Sequence, residues 1–188
     1  MSSHHIVKED QEPALIIVDI DAVAQGYLDQ LLEWSPTVVT DAASFEGAIN
    51  RGIKVDVLVS KEPLTLPQDH IRVLPVNGTF LDTALRYLID NDYPAANILS
   101  KDTHSALLLQ YAQMINAAVI GNGTRIFVAK SGFSKWGPRG EQVYVHGPNT
   151  VRSAMGLMRQ DANRYITAKD GFYSIHFTGP YGLVGEQL

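Results

Sequence analysis

The chain has 188 residues, a length typical of one domain or of one domain with a small appendage. Its composition, 45% hydrophobic and 19% charged, is that of a globular protein and excludes a disordered segment, a coiled coil and a disulfide scaffold. The absence of cysteine excludes thiol nucleophiles and cysteine-based zinc sites, and a net charge of −5 argues against binding to a nucleic-acid duplex.

The first two thirds of the chain alternates strand and helix signals. Short apolar or β-branched runs such as ALIIVDI are typical of buried strands, and the segments between them carry apolar residues at helical spacing. Gly52 is a good helix stop, and Thr79 and either Asp102 or Thr103 are good helix caps. In chain order we predict strands at 14–20, 37–40, 55–59, 71–76 and 95–100, and helices at 23–33 and 43–51, after Thr79 and after residue 102 or 103. A loop is predicted at 61–69.

The pattern changes near residue 117. Two strand-like runs flank Asn122-Gly123, a dipeptide that favours a tight hairpin turn, and Asp170-Gly171 is a second hairpin signal. Further strands are predicted at 141–146, 163–168, 171–177 and 182–184, and a short helix at 151–159. We therefore predict an α/β domain at 12–121 with a parallel, Rossmann-like sheet, followed by a small β-rich, sandwich-like domain at 122–188.

No apolar run approaches the roughly 20 residues of a membrane-spanning helix. The first dozen residues, MSSHHIVKEDQE, are polar and acidic and do not resemble a secretory signal. We therefore expect a cytoplasmic protein with no membrane partner.

Polar residues follow several of the predicted strands or lie near the starts of the helices. Because the carboxyl ends of parallel strands meet at one edge of a sheet, such residues line the edge where ligands bind. Each alone is uninformative, since loops are polar in general. Together they mark one rim that has acids for a metal and lysines for phosphates, namely Asp41, Asp82, His104, Lys61 and Lys101.

Asp19 and Asp21 end the first strand as Asp-x-Asp. This pair has the hard oxygen ligands that Mg²⁺ prefers, and it superficially resembles the nucleophile motif of haloacid dehalogenase-like phosphatases, with Val23 two residues later. The alternative is that both are structural carboxylates at a strand end, one of them capping the next helix. We favour the structural interpretation, because no matching downstream lysine and acidic pair stands out.

Other nucleotide-binding signatures are missing. Neither GxGxxG nor GxxxxGK[ST] occurs, which argues against dinucleotide and P-loop chemistry. Trp136 stands between two cations in SKWGPRG, a segment predicted to be a loop. It would stack on a heterocycle, pack under its own loop or lie in a subunit interface.

Three stretches resemble the thiamine pyrophosphokinase family. Residues 40–61 (TDAASFEGAINRGIKVDVLVSK) are similar to a family stretch A-D-G-G-A-N, then a helix, then L-G-I-K-P-D-L-I-I-G-D-x-D-S. Residues 79–88 (TFLDTALRYL) are similar to T-D-x-E-x-A-L-x-Y-L, and residues 101–108 with 121–128 resemble a third stretch that begins R-L-D-H. The order of elements agrees over about residues 12–130.

The chain departs from the family at its metal site. The G-D-x-D-S stretch appears as SKEPL at 60–64, with Glu62 as the only acid. Phe80 aligns with the aspartate of T-D, and Lys101-Asp102-Thr103-His104 stands where the family has R-L-D-H. Diphosphate transfer from ATP needs a cation to neutralise phosphate charge, so these departures bear directly on activity.

The resemblance implies diphosphate transfer from ATP to thiamine by a homodimer whose β-rich part helps bind thiamine. It implies Mg²⁺ held by Asp41, Glu62 and Asp82, with Asp41 and Asp82 as the catalytic acids. The nucleotide-binding residues would be Lys61, Thr79, Lys101, Asp102 and His104. The alternative, favoured by the missing aspartates, is a catalytically lapsed relative that binds a nucleotide or thiamine derivative or serves in assembly.

Overall fold

A computed structural model describes residues 12–62, 66, 70–147 and 150–188 of the chain. The chain forms two compact units. The first ends at Lys101 and the second begins at Asp102. The domain boundary predicted between residues 121 and 122 stays a prediction. Most of the predicted loop at 61–69 lies outside the described residues, as does the polar segment before residue 12.

The first unit is an α/β structure, as predicted. Its five strands form a parallel sheet in the order β5-β1-β2-β3-β4. The strands are β1 (Ala14–Ile17), β2 (Val38–Asp41), β3 (Val57–Ser60), β4 (Arg72–Pro75) and β5 (Ala95–Leu99). The helices are α1 (Gln25–Leu32), α2 (Ala42–Asn50) and α3 (Phe80–Asp90), and a 3-10 turn covers Ile20–Ala22.

Burial follows the position of each strand in this sheet. All four residues of β1 and of β3 are buried, as expected of inner strands with helices on both faces, whereas β4 at the edge is half-exposed. Helix α3 contributes a buried stripe through Leu81, Leu85 and Leu88. Thr79 caps α3 as predicted, its side chain accepting a hydrogen bond from the backbone N–H of Asp82 at 3.1 Å.

The second unit is mainly antiparallel. One sheet has the order β11-β12-β9-β14-β7-β6, so β14 lies between β7 and β9, and a second sheet has the order β10-β13-β8. Helix α4 (Ser105–Tyr111) packs on the first sheet. The strands are β6 (Asn116–Gly121), β7 (Thr124–Lys130), β8 (Phe133–Gly137), β9 (Gln142–His146), β10 (Val151–Met155), β11 (Leu157–Arg159), β12 (Arg164–Thr167), β13 (Gly171–Phe177) and β14 (Tyr181–Gln187).

Both sheets of the second unit contribute to one apolar core. Val143, Val145 and Val184 come from the larger sheet and pack with Tyr173 and Ile175 of the smaller one. The predicted hairpin at Asn122-Gly123 is confirmed, because both residues have positive φ, 50° and 74°, and join the paired strands β6 and β7. The prediction of a β-rich region is thus confirmed.

Three local predictions in the second unit are wrong. The helix predicted at 151–159 is the two strands β10 and β11, separated by Gly156. The loop predicted around Trp136 is strand β8 over Phe133–Gly137. Asp170-Gly171 does not form a hairpin of paired strands, because β12 pairs with β9 and β11 whereas β13 pairs with β8 and β10.

The start of α4 also differs from the prediction. Neither Asp102 nor Thr103 is its cap. The N-cap is His104, in the left-handed region at φ 46° and without a side-chain hydrogen bond that caps the helix. None of the described helices has the length and hydropathy needed to cross a membrane.

Candidate functional site

A cleft of about 570 Å³ opens at the carboxyl ends of β2, β3 and β4 in the first unit. Parallel strands direct their carboxyl ends to one edge, and the first turns of α2 and α3 follow there. Its volume is in the range of small-molecule sites. The described residues that line it are Asp41, Ala42, Ala43, Val59, Ser60, Lys61, Glu62, Val76, Gly78, Thr79 and Phe80.

Asp41 joins β2 to α2 and is the N-cap of that helix. Its Oδ1 accepts a hydrogen bond from the backbone N–H of Ser44 at 2.8 Å. The Ser44 hydroxyl donates in turn to the carbonyl of Val18 at 2.7 Å, which anchors the first turn of α2 to the end of β1. Part of the acceptor capacity of the Asp41 carboxylate is therefore used to hold the helix.

Thr83 fixes the segment that forms the far wall of the cleft. Its hydroxyl accepts a hydrogen bond from the backbone N–H of Asn77 at 2.8 Å. The same hydroxyl lies 3.0 Å from the carbonyl oxygen of Asn77 and 2.9 Å from that of Thr79, and can donate to either. Between these two residues Gly78 has φ +85°, a conformation that favours glycine. This wall is thus held to the first turn of α3.

The Asp82 carboxylate lies between Arg86 of its own helix and Gly78 of the cleft wall, where a Cβ atom at position 78 would be 3.1 Å from Oδ2. Its Oδ2 accepts from Nε of Arg86 at 3.1 Å, one turn along α3. Asp82 is not among the described residues that line the cleft. The predicted pairing of Asp41 with Asp82 across one site therefore stays a prediction.

The remaining lining combines an apolar floor with charges at the mouth. Val59 is buried, and Val76 and Phe80 are half-buried. Lys61 and Glu62 are exposed, and the Glu62 backbone N–H donates to the Ser60 hydroxyl at 3.2 Å. Two carboxylates, at positions 41 and 62, and one ammonium group give the described lining a formal charge of −1.

The family resemblance implies Mg²⁺, but the described residues do not form a complete set of ligands for it. A site built from the protein alone requires several oxygen ligands that converge on one point, whereas Mg²⁺ at a phosphate site is usually held by one or two carboxylates together with water and substrate phosphates. Asp41 caps a helix, Asp82 is paired with Arg86, and Glu62 is exposed at the mouth. Within 12–62, 66, 70–147 and 150–188, no group of three histidine or acidic residues could hold a metal ion. Two of the three predicted ligands, Asp41 and Glu62, line the cleft, and metal ligation by Asp41, Glu62 and Asp82 together stays a prediction.

Lys101 belongs to a different part of the same sheet. Its backbone N–H donates to Oδ2 of Asp19 at 3.0 Å, and the hydroxyl of Ser100 lies 3.4 Å from the same oxygen. The Asp19 side chain therefore joins the ends of β1 and β5. Asp21 forms an exposed ion pair with Arg51. These contacts agree with structural roles for Asp19 and Asp21 at the strand end, but the predicted helix cap is wrong, because Asp19 makes no side-chain capping bond to the 3-10 turn and the N-cap of α1 is Ala24.

Of the predicted nucleotide-binding residues, the structure brings Lys61 and Thr79 to the cleft, together with Asp41 and Glu62. Lys101, Asp102 and His104 are not among its described lining residues. Sequence reasoning identified Phe80 only as a departure from the family. Its position directly after Thr79, as the first residue of α3, is the sequence feature that indicates a place beside the cleft.

The second unit carries an exposed apolar surface on its three-stranded sheet. Trp136 and Phe172 are cross-strand partners on β8 and β13, 53% and 76% exposed. Met155 on β10 is 66% exposed and is the cross-strand partner of Ser174 on β13. Ser174 is two residues from Phe172 on the same strand, so Met155 and Phe172 lie on the same face of the sheet. We call Trp136, Phe172 and Met155 the aromatic face.

A polar cluster lies on the inner side of the same sheet. Nζ of Lys135 is 2.7 Å from Oε1 of Glu186 and 4.0 Å from Oε1 of Glu141. The hydroxyl of Tyr173 donates to Oε1 of Glu186 at 3.4 Å. Burial first, and then the charges of Glu186 and Glu141, raise the pKa of Tyr173 far above its usual range.

No protein-family model matches the sequence, and neither does any curated protein. Solved structures do match the fold. A probable thiamine pyrophosphokinase from Staphylococcus saprophyticus has a TM-score of 0.68 at 13% identity, covering 93% of this chain and 98% of its own. Yeast thiamin pyrophosphokinase has a TM-score of 0.69 at 10% identity, covering 97% and 88%, and the enzyme from Geobacillus thermodenitrificans has 0.67 at 10%, covering 93% and 96%.

These comparisons confirm the predicted resemblance at the level of the fold. The likeness extends over nearly the whole chain, including the β-rich tail. At 10–13% identity it shows the fold alone and leaves activity to the residues of the site.

Proposed function

We propose that this chain is a small-molecule-binding protein with the thiamine pyrophosphokinase fold, and that its first unit is a Rossmann-like nucleotide-binding domain that lacks metal-dependent diphosphate transfer. The observation that carries the proposal is the lining of the cleft. Lys61 and Phe80 stand there, while Asp41 caps a helix and Asp82 is paired with Arg86. The candidate ligands are a nucleotide or a thiamine derivative.

Calorimetric titration tests this proposal. The chain is titrated with thiamine and, separately, with a non-hydrolysable ATP analogue with and without Mg²⁺. We expect binding of at least one ligand together with no formation of AMP when thiamine, ATP and Mg²⁺ are incubated with the chain. Steady AMP formation that depends on thiamine would contradict the proposal.

The second candidate is an active diphosphate transferase that uses ATP and Mg²⁺. Asp41 and Glu62 favour it, because both carboxylates line the same cleft. Glu62→Gln is the sharper probe of the two, since Glu62 is exposed and caps no helix. Loss of thiamine-dependent AMP formation in this variant, with an unchanged melting temperature, would support the second candidate.

We further propose that the chain is a cytoplasmic homodimer, with the aromatic face in the subunit interface. Large exposed apolar surfaces on soluble proteins commonly mark interaction sites. Light scattering of the purified chain and of Trp136→Ser/Phe172→Ser tests this. We expect a dimer that the double variant converts to a monomer, and a monomeric unmodified chain would contradict it.

A further inference from the structure

We infer that the cleft at the ends of β2, β3 and β4 binds a nucleoside without a divalent cation, in preference to a nucleoside triphosphate. The inference rests on the proposed function and names the ligand class of that site. It follows from the charge of the lining, its apolar floor and the kind of polar group at its rim.

The charge of the lining disfavours a polyphosphate. Asp41 and Glu62 outnumber Lys61, so the described lining has a formal charge of −1. A triphosphate adds several negative charges to the same space, and like charges at short range repel. A divalent cation would reduce this repulsion, but no group of three acidic or histidine residues among those described could hold one, and of the two carboxylates in the lining Asp41 caps α2 and Glu62 is exposed. An uncharged ligand meets no such penalty.

The floor of the cleft suits a planar heteroaromatic ring. Phe80 is half-buried at the start of α3, and Val59 and Val76 come from the ends of neighbouring strands. Aliphatic and aromatic surfaces of this kind bury the faces of a base, and a phenyl ring adds a stacking partner. Ala42 and Ala43 lie on the α2 side and leave room because their side chains are short.

The rim suits hydroxyl groups. Ionised carboxylates are acceptors only, and each offers about four lone-pair sites. Asp41 uses Oδ1 for one bond to Ser44, which leaves acceptor capacity for a ligand. Acidic side chains at the ends of parallel strands bind ribose hydroxyls in the same way. Asp41 and Glu62 would therefore accept from the hydroxyls of a sugar whose base lies against Phe80.

Calorimetry with adenosine, guanosine, cytidine and uridine tests the inference, each nucleoside with EDTA and with Mg²⁺. We expect at least one nucleoside to bind, with a dissociation constant that changes less than about twofold between EDTA and Mg²⁺. The corresponding 5′-triphosphate should bind at least about tenfold more weakly under both conditions. Triphosphate binding that is tighter and requires Mg²⁺ would overturn the inference and leave nucleotide binding standing.

Variants locate the site. Phe80→Ala should weaken nucleoside binding by about tenfold or more, whereas Trp34→Ala, which removes an exposed aromatic ring outside the cleft, should not change it. Unchanged nucleoside affinity in Phe80→Ala would overturn the inference. Melting temperatures establish that each variant is folded.

The remaining outcomes separate the two proposals. Binding of thiamine alone would overturn the nucleoside inference but leave a small-molecule-binding function. Binding of no nucleoside, no nucleotide and no thiamine would overturn both.

Discussion

The ring of Phe177 lies directly over the backbone of Gly182, so that a Cβ atom built at position 182 would lie 2.3 Å from two of the ring carbons. Phe177 is 3% exposed and belongs to the core that both sheets of the second unit share. Only a residue without a side chain allows this approach. The contact therefore couples the identity of one strand residue to the packing of the core.

Gly182→Ala should destabilise the second unit. The added methyl group must displace the Phe177 ring, and overpacking of this kind costs about 1–3 kcal/mol. Denaturant unfolding measures the change in free energy. Gly26→Ala is the matched control, because nothing lies within 4 Å of a Cβ at that exposed helical position, and it should be neutral or slightly stabilising. Equal losses in the two variants would contradict the prediction.

Stability should decline at alkaline pH because of Tyr173. Burial and the neighbouring carboxylates raise the pKa of Tyr173, so the folded chain keeps a proton that the unfolded chain releases near pH 10. The unfolded state then binds fewer protons, and the free energy of unfolding falls as pH rises above about 10, by up to about 1.4 kcal/mol per pH unit. Tyr173→Phe should flatten this slope, and an unchanged slope would contradict the assignment.

Stability should also decline at mildly acidic pH because of His146. Burial lowers the pKa of His146, so its ring stays neutral in the fold while it takes up a proton in the unfolded chain below about pH 6.5. Its buried Nε2 has no hydrogen-bond partner among the described residues. Below that pH the unfolded state therefore binds more protons than the folded state, and the free energy of unfolding falls as the pH is lowered.

Unfolding measured between pH 7.5 and pH 5 tests this expectation. His146→Phe keeps a ring of similar shape and removes the titration, so it should reduce the loss of stability on acidification. An acid slope that is unchanged in His146→Phe would contradict the assignment.

Thr83→Val should loosen the wall of the cleft. Valine has the shape of threonine but cannot accept the hydrogen bond from the backbone N–H of Asn77, and we expect a loss of about 1–3 kcal/mol. Hydrogen exchange at the amide of Asn77 should accelerate more than exchange in the core strands. Thr178→Val, at an exposed position, is the control. Unchanged exchange at Asn77 would show that the wall is held by other contacts.

Local signals predicted most of the first unit. The strand predicted at 14–20 is a buried strand over Ala14–Ile17. It ends there because the backbone N–H groups of Val18 and Asp19 both donate to the carbonyl of Leu99. Thr79 is the cap of α3 as its sequence context indicates. Asn122-Gly123 adopts the positive φ values that its composition favours. In each case neighbouring residues determine the conformation.

Where the predictions are wrong, contacts between residues distant in sequence determine the secondary structure. At Gly156 a Cβ would lie 2.8 Å from the carbonyl oxygen of Phe172, and its φ of +73° interrupts what reads locally as a helix. Trp136 lies on a strand because β8 pairs with β13, some 35 residues later in the chain. The apolar floor of the cleft is likewise not predictable from local sequence, because Phe80, Val59 and Val76 line one cleft only when the sheet has formed.

The place of β14 between β7 and β9 has a consequence for synthesis of the chain. During translation β7 and β9 emerge from the ribosome well before the strand that must pair with both of them. Until β14 arrives, each presents an edge of unsatisfied backbone groups to the cell, and such edges are sites of aggregation. Slow translation between Lys130 and Tyr181 would prolong this exposure, so the yield of folded protein should depend on the speed at which that segment is made.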